Sequence, residues 1–421
     1  MTIILSHPWR VGWLLLACWA PATLAADLTL QQSLTAAEGY SAELSANRHQ
    51  VDALQNMADS AMQLPDPKLK FGIENVPVQG SNAQRFTREG MTMGRIGIMQ
   101  DYVSSTKRQR KADTLRAEAS QTDAGSATIR ACLQQQTAQA WLALALALSR
   151  QTLRDALALV TESERQIATQ RAAVAGGGTP ASGVLDARLT LLSMQDRISE
   201  AQRDVAVAQA RLTQLTGLSA TDTAGAMPRF ERLPADSEVL RQAIRQHPEV
   251  LQASREADVA KARSAQSEVA AIPDVGVEVY YGKRADEYED LAGVMFTVDL
   301  PLFRSQRQDK DYAADVSRSM EANDRLTLLI RDHQAQLDTL LAQYQAAQAQ
   351  WQRQQEQAIP LQQQRVTLLL AQYRSGKSDL SAVLEARRAL LDSRLSAGKA
   401  ARELAQIWAA IRYLTPQESM Q

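Results

Sequence analysis

Apolar residues recur at spacings of three and four along most of this 421-residue chain, and that rhythm gives way in two places. A helical pattern runs over about 28–62 and stops at Leu64-Pro65-Asp66-Pro67; another runs over about 238–271 and stops at Ile272-Pro273-Asp274. After each stop the period becomes two. Leu69, Phe71 and Ile73 alternate with Lys70, Gly72 and Glu74, and in the second place Val275, Val277, Val279 and Tyr281 alternate in the same way. Each stretch predicts a strand with one apolar face, followed by a polar loop and a second strand. The first partner covers about 93–102, with Ile96 and Ile98 on one face and Met93, Arg95 and Met99 on the other. The second puts Val294, Phe296, Val298 and Leu300 on one face and ends at Pro301.

A long helical pattern follows each strand pair, over about 106–175 and 305–374. Seventy residues of helix span ~105 Å at 1.5 Å per residue, more than a globular domain accommodates. Ile330, Leu337, Leu341, Tyr344 and Trp351 form a coiled-coil seam on the second, and Pro360 should kink it. Both long helices end at a glycine break, Gly176-Gly177-Gly178 and Gly376, and a new helix starts at Thr179-Pro180 or Ser378. A helical hairpin is thus made twice.

The halves are copies. Val184-Leu185-Asp186-Ala187-Arg188 and Val383-Leu384-Glu385-Ala386-Arg387 lie 199 residues apart, as do Arg108-Gln109 and Arg307-Gln308 at the heads of the long helices. Upstream of the strands the offset is about 206, so the surplus residues lie in the first strand pair and its loop. The resulting division is a leader over 1–25, a first repeat over 26–217, an inter-repeat loop over 218–235, a second repeat over 236–415 and a tail over 416–421. The fold class is mainly α with a small β part. Four short strands cannot close a barrel, and an open edge in lipid leaves backbone groups unpaired, so several chains must contribute. Three copies give twelve strands, an even number within the range of membrane barrels.

Composition narrows the picture. Aromatic residues make up 5% of the chain, which suits coiled coils better than a globular core. The formal charge of −1 is spread as alternating signs, so nothing argues for nucleic acid. Arg10, the apolar run over 11–19 and the small residues over 22–26 read as an export signal cut after Ala25; the alternative is lipidation at Cys18, within Leu15-Leu16-Ala17-Cys18. After such cleavage Cys132 has no cysteine to pair with. No window reaches the ~18 apolar residues of a membrane-spanning helix, so any membrane crossing falls to strands.

Candidate chemistry is sparse. The stretch from Gly176 to Ala181 matches a dinucleotide-binding turn in letters, but it follows a helix rather than a strand. No H-E-x-x-H, cysteine pair or nucleophile elbow occurs. His49, His247 and His333, far apart in sequence, read as solvated helix residues rather than metal ligands, and Met91, Met93 and Met99 as packing. No enzyme, cofactor or metal site is expected.

Tyr373, Gly376, Val383, Leu384 and Glu385 resemble the periplasmic-tip motif of TolC-like outer-membrane efflux channels. That resemblance covers nearly the whole chain after the leader. It implies a homotrimer with a 12-stranded barrel in outer-membrane lipid and a helical periplasmic tunnel. Its implied partners are a periplasmic adaptor (membrane fusion) protein and an inner-membrane resistance-nodulation-division pump. It further implies a resting aperture closed by a tyrosine and acidic residues, which Tyr373 and Glu385 match. Ser378 and Ala382 stand where an arginine and an aspartate occur in the best-known member, so Arg374, Lys377 and Asp379 are the substitutes at hand. The hairpin tips, Gly176, Gly177, Gly178, Thr179, Val184 and Leu185 in one and Gly376, Ser378, Val383 and Leu384 in the other, are the expected adaptor-docking sites. The stretches over 64–80 and 91–102 are similar to the heavy-metal branch, the outer-membrane components of cobalt-zinc-cadmium efflux. A drug-efflux channel of the same fold and a secreted coiled-coil adaptor or structural protein are the alternatives.

Overall fold

The structure, a computed structural model, describes residues 26–414 except 87, 148, 149, 176–180 and 286. The leader, the tail and the first hairpin turn with Gly176, Gly177, Gly178 and Thr179 lie outside the described residues.

In chain order the elements are β1 (Ala26–Leu28), α1 (Leu30–Tyr40), α2 (Ala42–Ala61), β2 (Lys68–Glu74), β3 (Met93–Tyr102), α3 (Ser105–Ala147), α4 (Arg150–Ala175) and α5 (Ala181–Thr216). The second half adds β4 (Ala220–Thr223), α6 (Ser237–Ala243), α7 (Pro248–Glu268), β5 (Val275–Arg284), β6 (Leu291–Val298), α8 (Gln308–Arg353), α9 (Ile359–Arg374) and α10 (Leu380–Leu414). The long helices, the strand pairs and the hairpins fall where the periodicity puts them.

Each expected N-terminal helix is in fact two. Ser41 leaves the helical region, with φ −69° and ψ 107°, and its hydroxyl accepts from Leu44 N–H to start α2. His247 does the same at φ −60° and ψ 135°, because a residue before proline is barred from the α region and Pro248 follows it. These breaks lie 206 residues apart, so they are one feature of the repeat. At Pro360 the ring removes a donor, and the chain answers with a π-turn over Gln354–Ala358 before α9.

Helix packing follows the expected arithmetic. Next to the strands α3 lies against α2 and α7, and α7 lies against α8; towards the hairpins α10 lies against α3, α5, α8 and α9. Each long helix therefore runs beside two shorter ones placed end to end. Where the shorter ones meet sits the largest core, containing Trp141, Leu212, Leu240, Ile244, Leu337, Tyr344, Leu404 and Trp408. The inter-repeat stretch is not merely a loop there. Residues 220–223 form β4, which pairs parallel with β1. Three buried aromatic donors pin neighbouring backbone: Trp141 Nε1–H to Leu28 O at 2.7 Å, Tyr344 O–H to Phe230 O at 2.8 Å and Trp408 Nε1–H to Arg232 O at 3.0 Å.

The four long strands form one antiparallel sheet in the order β2-β3-β5-β6. Among the described residues β2 and β6 are its unpaired edges. No described helix is long and apolar enough to cross a membrane.

Candidate functional site

Two ends of the molecule carry candidate function: the sheet and the hairpin tips. In the sheet the register settles which side chains share a face. Phe71 pairs with Ile96 and Ile96 with Tyr281; Leu69 pairs with Ile98, Ile98 with Val279 and Val279 with Val294. Opposed residues point the same way, so Leu69, Phe71, Ile73, Ile96, Ile98, Val275, Val277, Val279, Val294, Phe296 and Val298 make one apolar face. That face is exposed, with Phe71 80% accessible.

The opposite face is charged and tied together. Glu278 takes Lys70 Nζ at 2.8 Å and Arg95 Nη2 at 2.7 Å; Arg95 Nη1 reaches Glu74 at 2.9 Å, and its guanidinium lies 3.8 Å from the centre of the Tyr280 ring. Lys68 pairs with Asp101 at 2.7 Å. Glycines make room for bulky neighbours on this face. A Cβ at Gly276 would come within 2.7 Å of Met99 Cε, and one at Gly282 within 2.7 Å of Met93 Sδ. Met93 and Met99 are thus packing residues, whereas Met91 lies exposed in the loop before β3. Apolar on one side and polar on the other is the pattern of a strand set between lipid and an aqueous lumen.

At the described tip, α9 ends in a Schellman motif. Gly376 N–H donates to Tyr373 O and Lys377 N–H to Gln372 O, with Gly376 at φ +72°, a left-handed value that glycine tolerates. Val383 and Leu384 are wholly buried; with Leu380, Ile167, Val184 and Ala187 they form the apolar plug that joins the two hairpins. This corrects the expectation that Val184, Val383 and Leu384 present themselves for docking. Leu185 and Gly376 remain exposed, and Ser378 is half-buried. Tyr373 is half-buried against the plug, while Arg374, Lys377, Asp379 and Glu385 are exposed. Among the described residues no hydrogen bond or ion pair joins the side chains of these five.

Two histidines expected on solvated helix faces are not there. His247 and His333 are buried, their ring centres 4.3 Å apart, and Glu249 lies beside them, 2.9 Å from His333 Nε2. The signal was present in the spacing. His333 sits three residues after Ile330 and four before Leu337, on the coiled-coil seam, so its burial follows from the same period. His49, by contrast, is exposed.

No family model matches the chain. It is 24% identical over 379 residues, 89% of its length and 87% of the relative's, to the cobalt-zinc-cadmium resistance protein CzcC of Cupriavidus metallidurans. Among solved structures it is similar to CusC, with a TM-score of 0.73 at 16% identity, covering 97% of this chain and 95% of that one. It is also similar to the outer-membrane protein VceC of Vibrio cholerae, with a TM-score of 0.69 at 17% identity, covering 91% and 95%. The MtrE outer-membrane channel of Neisseria gonorrhoeae gives a TM-score of 0.69 at 12% identity, covering 93% and 92%. A four-stranded sheet with one apolar face, two long helical hairpins and an internal repeat, superposing on these channels nearly end to end, give this chain the fold of the TolC-like outer-membrane efflux channels.

Proposed function

We propose that the chain is the outer-membrane exit duct of a tripartite export system. Three copies pair β6 of one chain with β2 of the next to close a twelve-stranded barrel, and the helices continue it into the periplasm. The observation that carries this is the sheet: its exposed apolar face needs lipid, and its two open edges need neighbouring chains. The duct is passive and catalyses no reaction. Energy comes from a proton-driven inner-membrane pump, reached through a periplasmic adaptor that docks where Leu185, Gly376 and Ser378 remain accessible. Cross-linking in detergent should trap a trimer whose gel migration changes on heating. A stable monomer that needs no detergent would overturn the proposal.

The cargo is a heavy-metal cation. Likeness to a cobalt-zinc-cadmium resistance protein across 89% of the chain supports this. Deleting the gene should sensitise cells to cobalt, zinc or cadmium more than to dyes and detergents. The reverse profile would make it a duct for organic compounds and leave the architecture standing.

A further inference from the structure

We infer that His247, Glu249 and His333 form a binding site for a divalent transition-metal ion of the zinc and cobalt class, one per chain, clamping the start of α7 to α8. One potential ligand atom from each residue lies within 4.8 Å of the other two, and two imidazoles with a carboxylate are a donor set for such ions.

The geometry supports the assignment. His333 is more than nine-tenths buried, and its Nε2 makes no hydrogen bond although Glu249 Oε2 is 2.9 Å away. Its Nδ1 faces Gln336 Oε1 at 3.3 Å; with the proton on Nδ1, donated to that oxygen, the Nε2 lone pair turns towards the carboxylate. Two acceptors face each other there, and a cation between them satisfies both. Glu249 is about half exposed and gives the site a route to solvent.

The internal repeat supplies a control. At the matching positions, 206 and 199 residues earlier, stand Ser41, Glu43 and Gln134. Ser41 keeps the helix cap, and Gln134 donates to Glu38 at 2.6 Å. The same scaffold is thus built there without either imidazole. The inferred site is independent of what the duct exports, since it binds the protein's helices together and makes no claim on cargo.

The test uses the purified full-length protein in detergent, stripped with chelator and titrated with zinc by calorimetry and with cobalt by visible absorption. His247 is left in place because in the metal-free chain its Nδ1 caps α7, accepting from Glu249 N–H at 3.2 Å; ligation through Nε2 moves the ring proton to Nδ1 and gives up that bond. His333→Gln and Glu249→Gln are the variants, each checked for helical content and oligomeric state without metal. Expected are one zinc per chain, a cobalt spectrum of nitrogen and oxygen ligation, and affinity lower by at least about tenfold in either variant. A thermal shift with zinc should appear in the unmodified protein and vanish in both variants, while excess magnesium should not compete. If His333→Gln fails to fold, Glu249→Gln, at the exposed edge, decides alone. Absence of zinc uptake, or equal uptake by the unmodified protein and the variants, as an ion held at the surface would give, overturns the inference.

Discussion

Arg387 is the residue whose burial is hardest to explain by packing alone. It ends the Val-Leu-Glu-Ala-Arg motif on α10 and is 4% exposed, whereas Arg188 at the matching position of the first repeat is exposed. Its Nη1 donates to Ser163 Oγ at 3.2 Å, and its Nε has no partner. Burial pushes its pKa below the usual guanidinium value, with the charge of Glu162 opposing. A buried charge without a carboxylate in contact is costly, and an apolar side chain of similar length often serves as well or better. Arg387→Met should therefore leave thermal stability unchanged or raise it by up to about 4 kcal/mol. A fall of several degrees in melting temperature in detergent would mean that the guanidinium has a partner supplied by another chain. Nothing in the motif's letters separates Arg387 from Arg188, because the two differ only in which helices cover them. His247 and His333 show the same limit from the other side: spacing makes the burial of His333 legible, but their contact requires α7 to pack on α8, 86 residues apart in sequence.

Among the elements, those of strong period were legible and those of few residues were not. The long helices, four strands and Gly376 turn follow from periodicity and glycine placement. Strands of three and four residues, β1 and β4, are too short to carry an alternation, and the break at His247 follows from Pro248 by a rule that the helical period masked. The hairpin tip separates two roles that the sequence motif merges. Leu384→Ala, in the buried plug, should cost about 2–5 kcal/mol of stability by melting. Leu185→Glu, on the exposed side, should change stability by less than about 0.5 kcal/mol yet weaken capture of the adaptor. Gly376→Trp meets open space and bears only the strain of a left-handed residue, about 1–2 kcal/mol, so the trimer should survive while export is lost. Export that persists in both Leu185→Glu and Gly376→Trp would put docking elsewhere. The residues expected at the aperture lie at the same tip. Tyr373→Phe with Glu385→Ala should raise resting conductance in planar bilayers and weaken cation preference; no change in either would reduce these residues to surface groups.

For the whole molecule, the decisive property is that the sheet has two unlike faces, and their assignment can be tested residue against residue. Sequence alternation established that each strand has an apolar side, but the parity of β3 was settled only when its pairing put Ile96 beside Phe71 and Tyr281. If the apolar face meets lipid, Phe71→Arg puts a charge into the hydrocarbon at a cost of about 2–4 kcal/mol near the midplane, falling to ~0–1 near the interface. The yield of folded, heat-modifiable trimer should drop. Glu278 lies on the other face and holds both Lys70 and Arg95. Glu278→Gln frees two cations beside the lumen in each chain, so the barrel should still insert while its conductance shifts towards anions. The pair discriminates because the two swaps alter charge at neighbouring depths on opposite faces. Normal assembly of Phe71→Arg together with loss of insertion in Glu278→Gln would require the polar face to meet the membrane and would overturn the proposed barrel.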